Sequence, residues 1–453
     1  MKLYLVKISA LYLLIPLLLL SAATVFSQAP APNVLTRLSA DKYLEGTMGK
    51  TSDELVTLAL AKNAEVEAMR NEAAAAAQLI KQAGLRPNPT VELSGTKMIG
   101  GSDNSQMIQG ELPLELGRRR AARVRVAERE LQIRQRAVAE RERQLALEVR
   151  SKFGEALAAI LKLKFSEDLL SLAEQNFGLT SARVEDGRTP PLERNQELVE
   201  LNRIRATRET NEGTVEMRMF ELRNLVGMTP EDPLSLRGTL DTPVNALLSI
   251  SEATSRALQS RPDLLGARAV EQLAQAKVEQ ARSEGRIDAD VMLGYQRMKS
   301  GFPLLGIQEG TGALLPIDSK FHFFTFGVKL ILPVRNRNQG MIAAAQLEED
   351  AARGRREFGE LTIRREIASA YARYERAVKA REIFRVGVRD QATANLGVVR
   401  QTYELGSKTL LDYIAEHHRY IDAENGYIDI LLEAYLAQVG VLGAVNSPEL
   451  INK

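Results

Sequence analysis

Between Gly117 and Asp186 the chain runs seventy residues without a proline. Val124, Leu131, Val138 and Leu145 fall seven apart, and after one four-residue step Val149, Ala156, Leu163, Leu170, Phe177 and Val184 do so again. A sustained seven-residue apolar repeat with one stutter predicts a coiled-coil-like helix. At 1.5 Å per residue it would be a rod of roughly 100 Å. Gly187 to Pro191 reads as a sharp reversal and Leu192–Val226 as the return helix. The same succession comes later. Gln339–Leu405 is free of proline, with Ile363, Ala370, Ala377, Phe384, Gln391, Val398 and Leu405 seven apart and Gln391 the one polar member. Gly406 turns the chain, and Leu410–Val445 returns.

Ahead of each rod the period changes from seven to two. In Thr90–Lys97, Val91, Leu93 and Gly95 alternate with Glu92, Ser94 and Thr96. Gln106–Leu116, Asp288–Met298 and His322–Leu332 alternate likewise, the last with Phe324, Phe326, Val328, Leu330 and Leu332 on one side. Period two predicts strands with one apolar face. Gly100–Ser105 reads as a turn and Lys299–Lys320 as a long Gly-rich loop. A helix from Ser52, with Ser52 as its cap, to about Gly84 precedes the first strand pair, and one over Ser251–Ser283 precedes the second.

The succession is a duplication. AKNAEVEAMRNEAAAAAQLIKQA (61–83) returns as QSRPDLLGARAVEQLAQAKVEQA (259–281), and NFGLTSARVEDGRTPPLE (176–193) as NLGVVRQTYELGSKTLLD (395–412). Units this long are not solenoid repeats. The organisation expected is a signal peptide over 1–27, an extended lead over 28–50, a first repeat over 51–226, a linker over 227–249, a second repeat over 250–445 and a tail over 446–453. The signal rests on Lys2 and Lys7, the apolar stretch Ile8–Leu20 and the small residues near Ser27.

Composition narrows the function. The 453 residues contain no cysteine and no tryptophan, carry 26% charged residues and have a net charge of +2. Disulfides, thiolate metal sites and thiol catalysis are excluded. Arginine runs interleave with glutamate, so they read as solvated helix faces and not as a nucleic-acid footprint. Beyond the signal no stretch of eighteen uncharged apolar residues occurs; even Gly426–Val445 holds Asp429 and Glu433. A membrane would therefore be crossed by strands in a closed barrel. Four strands cannot close one. Two chains would supply eight and three would supply twelve.

ELPLELGRRRAAR (111–123), RPDLLGARA (261–269), LPVRNRNQG (332–340) and the duplicated halves resemble the TolC-like outer-membrane efflux proteins, the last two motifs the heavy-metal-efflux branch with CzcC and CusC. That resemblance implies a mainly α protein with a small β-barrel part. It implies a homotrimer with a twelve-stranded outer-membrane barrel, four strands per chain, continued by a periplasmic α-helical barrel. It implies, as partners, a periplasmic adaptor, an inner-membrane pump of the RND type and outer-membrane lipid. The cargo leans toward metal cations. A type I secretion duct would share the architecture; a periplasmic adaptor or scaffold without a pore would lack membrane-length strands.

No catalytic, cofactor or metal constellation stands out. His417 and His418 are adjacent on a helix and His322 begins a strand, which suits ordinary surface or strand-end histidines better than ligands. Two groups of residues remain. Glu185, Asp186, Gly187 and Arg188 occupy the same place in the first repeat as Glu404, Gly406 and Lys408 in the second. The resemblance makes these reversals the narrow periplasmic tip, with Arg188 and Lys408 as cationic partners for the acids; ordinary solvated turns are the alternative. Glu92, Glu111, Asp290, Gln296 and Lys329 sit on the polar side of the strands and fit a pore interior.

Overall fold

A computed structural model describes residues 40–46, 48–101, 103–241 and 248–451. The proposed signal peptide lies outside the described residues.

Two helices stand where one was expected before the first strand pair. α1 (Ser52–Lys62) and α2 (Ala64–Ala83) meet at Asn63, whose extended backbone ends α1. Its side chain accepts the Glu65 and Val66 amides that open α2. The cap of α1 is Thr51 and not Ser52: Thr51 Oγ1 accepts the Glu54 amide while the Glu54 carboxylate accepts the Thr51 amide. In the second repeat α5 (Ile250–Ser260) and α6 (Pro262–Glu284) part at Arg261. The residue before a proline is driven out of the helical region, and Pro262 then starts the next helix.

β1 (Thr90–Lys97) and β2 (Asn104–Pro113) form one antiparallel hairpin, and β3 (Asp288–Ile307) and β4 (Leu314–Ile331) another. They join in a single sheet of order β1-β2-β3-β4. The expected Lys299–Lys320 loop is mostly strand. β3 and β4 continue as a two-stranded ribbon to a short turn holding Gly310 and Gly312, both left-handed. The glycines suggested a loop, but Leu304, Leu305, Ile307, Leu314, Leu315 and Ile317 between them favour extended chain.

α3 (Arg119–Glu185) is one unbroken helix of 67 residues, roughly 100 Å long. α4 (Pro191–Val226) returns along it. The core lies at mid-rod. There Leu145, Val149, Phe153, Ala156, Ile160 and Leu163 of α3 are buried against Val215, Met219 and Leu222 of α4, Leu55 and Ala59 of α1, Leu236, and Tyr435 and Val439 of α9 (Leu410–Val445). Toward both ends the seam of α3 is only half-buried. The lead is partly built into this core: Ala40 and Tyr43 are buried, and Leu44 and Lys50 bridge to Leu236.

The second rod is not continuous. α7 (Gln339–Phe384) passes through a π-turn at Arg385–Arg389 into α8 (Asp390–Glu404). One extra residue in that turn shifts the apolar seam by one. Ile363, Ala370, Ala377 and Phe384 face inward as expected, but Val398 and Leu405 are 62% and 77% exposed. Leu396, Val399 and Tyr403 take their places. α9 is apolar enough in composition to span a membrane. Its apolarity serves packing: Ile428, Leu431, Tyr435, Val439 and Val441 are buried against the other helices.

Three buried arginines tie the C-terminal end of α9 to the rest. Arg143 donates to the Gly443 carbonyl at 3.0 Å, and Arg150 to the Glu449 and Leu450 carbonyls at 2.5 and 3.2 Å. Arg261 donates to the Ala444 carbonyl at 3.4 Å and pairs with Asp263 at 2.6 Å and Glu366 at 2.7 Å. Burial works against the Arg261 charge, but Asp263 and then Glu366 outweigh it and hold the guanidinium above its usual range.

Candidate channel wall and helix tip

The register decides what each face of the sheet presents. Paired residues on neighbouring strands point the same way. Leu93, Ile108, Tyr295 and Phe324 form one row across four strands, and Val91, Gly110, Leu293 and Phe326 the row beside it. Leu112, Val291 and Val328 make a third. This face is open: Leu93 is 77%, Phe324 80% and Phe326 84% exposed. An apolar sheet face that bare requires lipid or protein against it.

The opposite face carries Glu92, Glu111, Asp290, Gln296 and Lys329, all five on one side by register. Lys329 Nζ reaches Glu111 at 3.2 Å and Asp290 at 3.3 Å, an ion-pair bridge over three strands. The face is not uniformly polar. Met107, Met292, Phe321 and Phe323 share it, with the two phenylalanines stacked at 6.4 Å. Below Asp290, Asp288 pairs with Arg119 at 2.6 Å and accepts the Leu116 amide at 2.9 Å, tying strand to rod. The turn into α3 uses left-handed Glu115, Gly117 and Arg118, and Glu115 is held by Arg123; left-handed Asn338 does the equivalent before α7.

At the other end of the rods both reversals have the same build. Gly187 and Gly406 have φ of 71° and 76°. The next amides, of Arg188 and Ser407, donate back to the carbonyls of Arg183 and Thr402, each at 2.9 Å. This is a Schellman closure, and it needs the left-handed residue that glycine supplies. The return helices then start differently: Pro190 and Pro191 begin α4, whereas Thr409 caps α9 in a box with Asp412. Glu185, Asp186, Arg188, Glu404 and Lys408 are exposed. Arg188 lies 3.8 Å from Asp186, but the partner of Glu404 is Arg400 at 3.1 Å, one turn back in α8, and not Lys408.

A buried group of which the sequence pointed only to the two histidines lies just above the tip. Glu197 and Glu200 of α4 and Glu416 and His417 of α9 are all buried, at 7–8% exposure. His418 Nε2 is 2.8 Å from Glu200, and Arg203 reaches the same imidazole at 3.1 Å. Tyr413 stacks between Tyr403 and His417. Burial pushes the Glu197 carboxyl above its usual range, with Glu200 and Glu193 adding to it. Burial pulls the His417 imidazole down. His417 is thus a core residue and not the surface histidine expected. Among the described residues no group of histidines and carboxylates is arranged to hold a metal.

A sheet with a bare apolar face, continued by helical rods of this length, defines a membrane-anchored helical duct. The chain belongs to the outer membrane efflux protein family, whose model matches residues 55–228 and 253–446. It is similar to the cobalt-zinc-cadmium resistance protein CzcC of Cupriavidus metallidurans, with 23% identity over 393 residues, 85% of this chain and 88% of that protein. In fold it is similar to CusC (TM-score 0.71, 15% identity, 88% of this chain and 92% of that one). The open state of MtrE from Neisseria gonorrhoeae is also similar (TM-score 0.69, 16% identity, 87% and 88%). The protein is an outer-membrane efflux duct with a large periplasmic portion, of a family of channels and not of enzymes.

Proposed function

We propose that three copies of this chain form one passive exit duct, which receives cargo from a periplasmic adaptor and an RND-type inner-membrane pump. The observation that carries the reading is the sheet: one face apolar, one face polar, and two unpaired edges, β1 and β4. Open edges are not tolerated in hydrocarbon. Pairing β4 of each copy with β1 of the next closes twelve strands and leaves no edge. Glu92, Glu111, Asp290, Gln296 and Lys329 then line the lumen, where acids outnumber the lysine. Metal cations are the cargo class this favours, in keeping with the resistance named for CzcC.

The reversals at Glu185, Asp186, Gly187 and Arg188 and at Glu404, Gly406 and Lys408 form the periplasmic mouth in this reading. Threefold repetition brings nine carboxylates, from Glu185, Asp186 and Glu404, to a narrow ring, and such rings bias a pore toward cations. Each exposed ion pair is worth only about 0–1 kcal/mol. Several copies acting together are needed to hold the mouth closed.

Planar-bilayer recording with mass measurement in detergent tests both parts. The expected protomer ratio is three. Asp186→Ala with Glu404→Ala is expected to raise resting conductance and reduce cation preference. An intact trimer with unchanged conductance and selectivity would make these carboxylates plain turn residues. A conducting monomer would sink the shared barrel.

A further inference from the structure

The outward face of the sheet changes character abruptly at its far rim. The last row that crosses all four strands is Lys97, Asn104, Lys299 and Lys320. The row beneath it is Gly95, Gln106, Arg297 and His322. Both share the face that carries Leu93, Ile108 and Phe324 one row lower, so a basic rim sits directly on the apolar band. Lys97, Arg297, Lys320 and His322 are exposed, and Lys299 is half-buried. Tyr295 marks the boundary, its hydroxyl 2.6 Å from His322 Nδ1. Two acids lie within the rim. Asp318 pairs with Lys299 at 2.5 Å, and Asp103 accepts the Gly301 amide at 2.6 Å. The bases still exceed them. Above this rim only the β3–β4 ribbon continues.

We infer that this rim binds the phosphorylated glycolipid headgroups of the outer leaflet, holding lipid A against the wall through Lys97, Lys299, Lys320 and Arg297. The inference rests on the reading of the sheet as membrane wall. The rim is at the end remote from the periplasmic rods and therefore faces the outer leaflet. That leaflet presents phosphate-bearing sugars at the depth where the hydrocarbon ends. Aliphatic lysine stems lie along apolar surface while their ammonium groups reach phosphate, and arginine adds a planar fork for the same oxygens. The three lysines span β1 to β4, about 14 Å at the usual strand spacing. A disaccharide with a phosphate at each end can engage both ends of that row, which a single phosphodiester cannot.

The test uses the full protein carrying Lys97→Gln, Lys299→Gln and Lys320→Gln together, beside a second version carrying Lys97→Arg, Lys299→Arg and Lys320→Arg. Each is mixed in detergent with bis-phosphorylated lipid A, dephosphorylated lipid A or phosphatidylglycerol, and bound lipid is counted by native mass spectrometry. The wild type and the arginine version are expected to retain bis-phosphorylated lipid A about tenfold better than either other lipid, and the glutamine version to lose that preference. Equal retention by the glutamine version, or phosphatidylglycerol held as well as lipid A, overturns the proposal. Phe326→Cys in the same protein in liposomes separates the two readings. Its labelling by a membrane-impermeant maleimide means that the wall itself is misplaced. Protection there, with lipid A retained by the glutamine version, means that only the rim site fails.

Discussion

The two repeats solve the same joint in different ways. Asn63 and Arg261 stand at equivalent places, each between two short helices ahead of a strand pair. Asn63 does its work with one neutral side chain, capping α2 and donating to the Leu225 carbonyl at 3.2 Å. Arg261 is a nearly sealed cation, 4% exposed, that depends on Asp263 and Glu366. A duplicated backbone can therefore rest on a local hydrogen bond in one half and on a desolvated ion pair in the other. The two should fail differently. Removing Arg261 leaves Asp263 and Glu366, 35% and 40% exposed, without their cation; water takes up part of that loss, so the cost stays below the roughly 3–5 kcal/mol of a fully buried pair. Removing an Asn cap costs about 0.5–2 kcal/mol. Arg261→Ala is expected to lower the denaturation midpoint more than Asn63→Ala. Equal losses would mean that the Arg261 charge is not desolvated in the assembled protein.

The reversals invert the comparison, because there the halves agree. Gly187 and Gly406 share one left-handed geometry, so a Cβ at either costs about 1–2 kcal/mol for the backbone alone. Gly187→Ala and Gly406→Ala should shift thermal melting alike, although proline starts the return helix in one half and a threonine box in the other. A clear difference would show that the helix starts carry part of the turn.

These cases also show what a linear sequence can disclose. The strand faces were legible, since period two is local and one residue of slip would turn every apolar side chain over. The reversals were legible because acid, glycine and base recur together. The β3–β4 ribbon was not, because its glycines carry a loop signal while its pairing is fixed by two distant strands. Nor was the burial of Glu197, Glu200 and His417, which on an isolated helix look like solvated residues. The π-turn was hidden in another way. Ile363 through Leu405 keeps perfect seven-residue spacing, but the extra residue at Arg385–Arg389 moves the inward face onto Leu396, Val399 and Tyr403. α3 carries its own stutter without any such turn. Deleting Gly387 should make the second rod resemble the first. Because the residue removed is the extra one, the downstream faces should keep their places: Leu405→Cys is expected to stay readily labelled and Tyr403→Cys to stay protected, with little change in melting. An exchanged labelling order would mean that the extra residue is not absorbed at the π-turn.

The smallest expected effect contrasts the acids at the tip with the acid above it. Glu185 is exposed, whereas Glu197 is buried and its carboxyl is raised by burial, Glu200 and Glu193. A raised carboxyl favours the folded chain only while it is protonated. Its contribution is complete below the unfolded value of about 4.5 and is lost as pH climbs through the higher folded value. At neutral pH the charged form is a net cost. Glu197→Gln is therefore expected to raise the melting temperature at pH 7 and to lose that advantage as pH falls through the raised folded value toward about 4.5. His417 runs the other way. Its lowered value means that stability declines as pH drops below about 6.5, where the unfolded imidazole takes up its proton first. His417 therefore has its own window, which opens below about 6.5. Glu185→Gln, at an exposed position of the tip, is the control for the substitution itself. Melting curves of the three proteins between pH 4 and 8 make the comparison. A Glu197→Gln curve that tracks the parent throughout would mean that water or a neighbouring copy already satisfies this carboxylate, and that the apparent burial belongs to the isolated chain only.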